Sequence, residues 1–327
     1  MRRAVMFSLF AAITCVLFAG PDYPIQPVPF TAVSFDDAFW AVRQETNNDI
    51  TIWSNLRKCE ETDRFSNFEK AAGWKQGNFI GLVFNDSDAY KTLEAVAYAL
   101  AVKPDPILER YADGVIERIA AAQQPDGYLD TAYILPPKDP KKRWTVLQHD
   151  HELYCAGHFF EAAAAYYQAT GKHKILDVAE KLANHIDSVF GPDKKRGTSG
   201  HPEVELGLCK LYRVTGNEKY LELAKYFLDQ RGYREGRAEP DYGPYAQDHK
   251  PVVEQDEAVG HAVRAGYLYA GMADVAALTG DKDYIQAIDR IWDNVVSKKQ
   301  YITGSVGARW ADRCRAICMI TRIRSLS

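Results

Sequence analysis

From about residue 148 onward, apolar and polar positions recur with the ~3.6-residue period of an α-helix. Three of these apolar stretches open near a histidine and close on Thr-Gly: His151 to Thr170-Gly171, His201 to Thr215-Gly216, and His261 to Thr279-Gly280. After each Thr-Gly a second periodic stretch begins with an early apolar anchor, Ile175-Leu176, Tyr220-Leu221 or Tyr284-Ile285. A glycine just past the last periodic residue is a helix stop. The pattern therefore predicts three helical hairpins, with helices near 150–169 and 173–190, 201–214 and 218–232, and 257–278 and 282–297. Upstream, the same period predicts helices over 40–57, from Asp86-Ser87-Asp88 to the break at Lys103-Pro-Asp-Pro106, and over 107–123. Two long segments interrupt them: a proline- and lysine-rich loop over 128–144, and a polar and aromatic loop over 233–254 carrying Tyr242, Tyr245 and His249. Apart from a short extended lead-in over 33–39, strand signals are almost absent. Helix pairs with long loops of uneven length predict an all-α fold, an α-toroid that gathers its loops at one end, rather than a solenoid of regular repeats.

In a toroid, equivalent ends of equivalent helices meet at one mouth, so His151, His201 and His261 are expected to converge there. Helix N-termini carry partial positive charge and free N–H groups that suit oxygen-rich ligands, and a neutral histidine both donates and accepts hydrogen bonds. These three are the candidate substrate-binding residues, as readers of hydroxyl groups. The nearby acids Glu152, Glu203, Glu205, Glu254, Asp256 and Glu257 contain no pair that stands out as catalytic, and Glu203 and Asp256 read as helix caps or first-turn acids. No phosphate-binding loop, dinucleotide fingerprint, nucleophile elbow or His-Glu-x-x-His helix is present. A net charge of -4 gives no reason to expect nucleic acid. The 19 Tyr and 6 Trp suit sugar faces as well as ordinary helix packing.

Six cysteines do not make a disulfide framework here: Cys59, Cys155 and Cys209 are isolated, the latter two in apolar helical stretches that expect a small buried hydrophobe. The N-terminus has a basic start at Arg2-Arg3, an apolar run from Ala4 to Phe18 and small residues at Ala19-Gly20. Residues 1–19 are thus expected to be a secretory signal peptide, which makes the protein exported (periplasmic or secreted), with no integral membrane segment left after its removal.

Six stretches, in order, resemble glycoside hydrolase family 127, the β-L-arabinofuranosidase type: Val83-Phe-Asn-Asp-Ser-Asp-Ala-Tyr-Lys91, Ala122-Gln-Gln-Pro-Asp-Gly-Tyr-Leu-Asp-Thr131, His151-Glu-Leu-Tyr with Gly157-His158, Gly200-His-Pro-Glu-Val-Glu205, Gly260-His-Ala-Val-Arg264 and Tyr301-Ile-Thr-Gly-Ser-Val-Gly307. The resemblance implies an (α/α)6 barrel over residues 20–310 whose mouth binds a terminal L-arabinofuranose of a glycan or glycoside, with His151, His201 and His261 on the sugar. It also implies a retaining reaction that uses a zinc-held cysteine thiolate as nucleophile, with further Cys and Glu ligands, and a separate glutamate as acid/base.

The last residues depart from that pattern. Arg313 stands where the acid/base glutamate is expected, nine residues after Gly304, and the Glu-x-Cys and Cys-Cys ligand pairs are not found. Cys314 and Cys318 have the wrong flanks and spacing for a zinc pair. Residues 311–327 read as an aberrant, disordered tail, as a reading-frame shift near Trp310 would produce. The expectation is a barrel incomplete at its C-terminal end, with no catalytic residue and no zinc bound by this chain, and without activity. Two alternatives are another α-toroid glycan hydrolase and a non-catalytic sugar-binding remnant.

Overall fold

The computed structural model describes residues 21–307; the expected signal segment 1–19 and the tail 311–327, with Arg313, Cys314 and Cys318, lie outside them. The fold is all-α. In chain order the helices are α1 (Trp40–Thr46), α2 (Ile52–Glu61), α3 (Arg64–Ala71), α4 (Asp86–Val102), α5 (Pro106–Ala122), the single turn α6 (Thr131–Ile134), α7 (Glu152–Thr170), α8 (Lys174–Val189), α9 (Val204–Thr215), α10 (Glu218–Gln230), α11 (Ala262–Thr279) and α12 (Lys282–Asn294). A π-helical turn over Asn47–Thr51 joins α1 to α2. Helix α3 has no counterpart in the sequence-based expectation; it begins after Asp63, which adopts a left-handed conformation that breaks the run from α2.

Helices α4, α7, α9 and α11 pack side by side as an inner row, and α5, α8, α10 and α12 each back their chain neighbour on the outside. The pair α2 and α3 extends the arc beyond α4 and α5. Among the described residues these five pairs form an arc; α2 and α11 stand at its two ends.

Residue pattern separates the layers. In α7 every residue from Glu152 to Tyr166 is buried, so this helix is apolar almost all round, as a central element must be. In α8 the buried set is Ile175, Leu176, Val178, Ala179, Leu182, Ala183 and Ile186, one stripe at helical spacing, which marks an outer helix. Helices α7 and α9 approach at backbone contact. A Cβ on Gly157 would lie 2.6 Å from the Glu203 backbone, and one on Gly207 would lie 2.3 Å from the Gly157 carbonyl oxygen.

The Thr-Gly signals act as helix stops. Gly171, Gly216 and Gly280 all adopt φ near +70° and donate their N–H to Tyr167, Tyr212 and Ala276 at 2.8, 2.7 and 2.9 Å. The threonine before each glycine donates its hydroxyl to the carbonyl four residues back, and then accepts the N–H two residues on. Thr-Gly thus closes one helix and starts the turn into the next.

Two helix starts differ from expectation. The helix expected from 257 begins at Ala262, because the segment before it is held extended: the Gln247 amide donates to the carbonyls of Val259 (2.8 Å) and His261 (3.3 Å). Asp256 is therefore no helix cap; it is exposed and pairs with Lys250 at 2.5 Å. Helix α9 begins at Val204, three residues later than expected, since Pro202 and the extended Glu203 precede it.

Candidate functional site

His151 and His261 are the N-cap residues of α7 and α11, and His201 sits in the loop just before α9. The structure brings all three together. The His151 and His201 rings are 5.8 Å apart and the His201 and His261 rings 6.3 Å. Tyr154 lies against His201 at 4.5 Å and against His151 at 5.5 Å, and Tyr267 faces His201 at 5.6 Å. Phe84 lies tilted against His151 (5.2 Å) and Tyr245 meets His261 edge-on (5.5 Å), so aromatic rings flank the row of histidines.

The loops that carry the histidines are locked by backbone proximity. A Cβ on Gly200 would lie 2.1 Å from the Gln148 carbonyl, and one on Gly260, at φ +78°, would lie 2.1 Å from the Pro244 carbonyl. Only glycine fits in front of either histidine, which explains the recurring Gly-His pair. Arg231, fully buried at the end of α10, ties these loops together. It donates to the carbonyls of Ala246 and Ser199, each at 2.8 Å, and meets Glu205 at 3.4 Å. The 128–144 loop supports His151 from below: the Tyr128 hydroxyl (2.6 Å) and the Trp144 N–H (2.8 Å) both donate to Glu152.

Hydrogen bonds set which ring nitrogen of each histidine carries its proton. His201 Nδ1 lies 2.8 Å from the Pro202 carbonyl, which can only accept, so Nδ1 is the protonated nitrogen and Nε2 is an acceptor. His151 Nδ1 meets the His149 carbonyl in the same way. His261 is the reverse: its Nδ1 accepts the Arg264 N–H at 3.4 Å, leaving the proton on Nε2. Burial, with the Arg264 cation and the neighbouring histidines, pushes His201 down to about 3. Burial lowers His151 as well. At neutral pH these two are uncharged, suited to hydroxyl groups.

Beneath this row lies a buried set that sequence reasoning missed. His158, two turns along α7 from His151, packs between Tyr154 (4.6 Å) and Tyr267 (5.6 Å). Its Nδ1 lies 3.0 Å from Glu203 and 3.4 Å from Glu161, close but poorly aligned for hydrogen bonding. Lys210 binds Glu161 from the other side. Burial and the neighbouring Glu161 carboxylate raise Glu203 well above the usual carboxyl range. Burial also acts to raise Glu161, but contacts from His158, Glu203 and Lys210 outweigh it and hold Glu161 below that range. The Glu203 side chain, expected as a helix cap, makes no capping bond and instead turns inward. His158, Glu161 and Glu203 offer donor atoms within 4.8 Å of one another to a cation. That cation would compete with the proton on Glu203 and with the Lys210 ammonium, which together already balance the charge.

The chain as a whole is similar to known proteins. The family model for the catalytic domain of family 127 β-L-arabinofuranosidases covers residues 32–314 of this sequence. The chain belongs to glycoside hydrolase family 127. It is 43% identical over 263 residues to a non-reducing end β-L-arabinofuranosidase of Bifidobacterium longum, covering 74% of this chain and 40% of the relative. A solved family 127 β-L-arabinofuranosidase from Geobacillus stearothermophilus T6 superposes with TM-score 0.82 at 44% identity, over 87% of this chain and 48% of that one. A second solved family 127 β-arabinofuranosidase gives TM-score 0.83 at 49% identity, over 91% of this chain and 47% of the other. The chain spans less than half the length of these relatives.

Zinc held by cysteines, which the family resemblance implies, does not fit the described residues. Cys59, Cys155 and Cys209 lie buried on α2, α7 and α9, and none joins a metal-holding group. Burial raises all three thiols above their ordinary value, the opposite of what a thiolate ligand needs. Among the described helices none is long and apolar enough to cross a membrane.

Proposed function

We propose that this chain carries the sugar-recognising half of a family 127 active site and binds a non-reducing terminal β-L-arabinofuranosyl unit through His151, His201 and His261. The observation that carries the reading is the convergence of three histidines, from the starts of three successive inner helices, into one row with ring spacings of 5.8 and 6.3 Å. Two acceptor nitrogens and one donor N–H, flanked by aromatic faces, are the groups a furanose with several hydroxyls calls for. Two of the relatives named above are β-L-arabinofuranosidases, which supports the same ligand class.

The chain is a binder without turnover in this reading. Arg313 occupies the position expected of the acid/base glutamate, and the described cysteines are apart and protonated. The Glu161–Glu203 pair does not replace them. It lies beneath the row with its two carboxyls around a single histidine nitrogen, leaving no room for a glycosidic bond between them. The basic and apolar N-terminus supports export of the protein.

The test is calorimetric titration of the full chain with methyl β-L-arabinofuranoside, alongside an assay with an aryl β-L-arabinofuranoside. Saturable binding that His201→Ala weakens at least ~10-fold, about the worth of one buried polar contact or more, with no aryl release, is the expected result. Aryl release at the rate of a full-length relative would overturn the non-catalytic reading, and absence of saturable binding would overturn the sugar site.

A further inference from the structure

His158 and Glu203 are 2% and 0% exposed, and neither ring nitrogen of the one nor carboxyl oxygen of the other has an aligned hydrogen bond. Three other buried carboxyls of the fold are well supplied. Asp86 accepts from the Thr131 N–H and hydroxyl at 2.7 and 2.6 Å, and Glu152 accepts from Tyr128 and Trp144. Asp248 accepts from the Gly232 and Tyr242 N–H groups and from Arg237. Buried polar groups almost always find partners, so four unsatisfied atoms in one place call for an explanation. The described residues already close these four atoms off from solvent.

Their spacing supplies the explanation. His158 Nδ1 stands 3.0 Å from a Glu203 oxygen and 3.4 Å from a Glu161 oxygen, and the three residues each offer a donor atom within 4.8 Å of the others. Ligands bound about 2.0–2.2 Å from a tetrahedral ion lie about 3.3 Å from one another. One imidazole and two carboxylates are a donor set for zinc. Charge balances as well. A divalent ion neutralises both carboxylates and displaces the proton they share. The Lys210 ammonium, which otherwise binds Glu161, then passes to Glu94, already 3.9 Å away. We propose that His158, Glu161 and Glu203 bind one zinc ion, leaving a fourth position for water. Glu203 follows His201 by two residues, and His158 and Glu161 belong to α7, so the ion pins the loop of the middle histidine onto that helix.

The test uses the full chain and Zn²⁺ alone. Zinc content is measured on protein from zinc-supplemented culture, and again after chelator stripping and reloading; affinity is read by competition with a chromophoric chelator. One zinc per chain is expected. Glu203→Gln keeps the shape of the site and removes a charged ligand, and is expected to weaken zinc at least ~100-fold, no less than the loss of an outer partner of a metal ligand costs. Glu161→Gln should do the same, and serves if the first variant does not fold. Lys210→Met, which removes the competing ammonium, should tighten zinc about tenfold. Cobalt(II) in place of zinc should give the visible bands of a tetrahedral nitrogen and oxygen site. A wild-type chain without zinc in both preparations overturns the proposal, as does equal zinc affinity in the glutamine variants. A thiolate-to-cobalt charge-transfer band also overturns it, by placing the ion on cysteine. Looser zinc in Lys210→Met would sink the exchange of ammonium for ion on which the charge balance stands.

Discussion

Glu161 and Glu203 face one histidine nitrogen inside the core, and the physics of the pair is that of a single shared proton. Burial raises Glu203, while Lys210 and His158 favour the charged form of Glu161, so at neutral pH one carboxyl is an acid and the other a carboxylate. Replacing the neutral member by its amide keeps shape, size and charge; replacing the charged member strands Lys210, whose side chain is 37% exposed and so partly relieved by water. Glu203→Gln is expected to change unfolding free energy by less than ~1 kcal/mol, and Glu161→Gln to cost about 2 kcal/mol. Urea denaturation at pH 7 reads both, and equal costs would show that no proton is shared. This set could not be found in the sequence. His158 and Glu161 occupy ordinary interior positions of an apolar helix, and Glu203 lies some forty residues away with the look of a cap. Arg264 left a trace, in that it follows His261 by three residues and so shares its helix face, but its place over the Tyr245 ring and near His151 and His201 exists only in three dimensions.

The helical elements were far more legible, because their stops are built from local chemistry. Each Thr-Gly closes its helix with bonds to residues two to four positions away, so the sequence alone carries the information. Helix starts at 204 and 262 were misplaced for the opposite reason: they are set by Pro202 and by the reach of Gln247 across the loop, the latter a contact over 12 to 14 residues. The close approach of α7 and α9 was also invisible, though it decides where Glu203 sits. Gly157 and Gly207 allow it, and a methyl group on Gly157 would meet backbone rather than a yielding side chain. Gly157→Ala is therefore expected to cost at least about 1–3 kcal/mol, since the core would have to open. Because that wedge separates His158 from Glu203, it should also weaken furanoside binding. Thermal melting and titration of the one variant check both; a melt unchanged within ~0.5 kcal/mol would mean that the two helices can slide apart freely.

At the scale of the whole molecule, the buried ionisable groups make opposite demands on pH, and their signs can be worked through. His201, pushed to about 3, and His151, His158 and His249, all lowered first by burial, are neutral in the fold and free to protonate when unfolded. Their contribution is present above the unfolded histidine value of about 6.5 and is lost as pH falls below it. The carboxyls behave in reverse. Burial raises Glu152 to about 7 and holds Asp130 and Glu203 well above the usual range, so each carries a proton in the fold that the unfolded chain has already released. Their contribution is complete below the unfolded carboxyl value of about 4 and is lost as pH climbs from there through those raised values. Between about pH 4 and 6.5 the two demands oppose each other; below that window the histidines drive the loss, and above it Asp130 and Glu203 continue it, the share of Glu152 being nearly complete just above pH 7. Glu152 accepts from Tyr128 and Trp144 beneath His151, so its share of the loss, between about pH 4 and 7, reports on the support of the histidine row itself. Melting temperatures from pH 3 to 9 should trace this profile, and Glu152→Gln, which keeps an acceptor but cannot ionise, should remove part of the loss between about pH 4 and 7 and leave the slope above that unchanged. A melting temperature that rose steadily to pH 9 would mean that the carboxyls are ionised in the folded chain, and the neutral floor assigned to the histidine row would have to be abandoned.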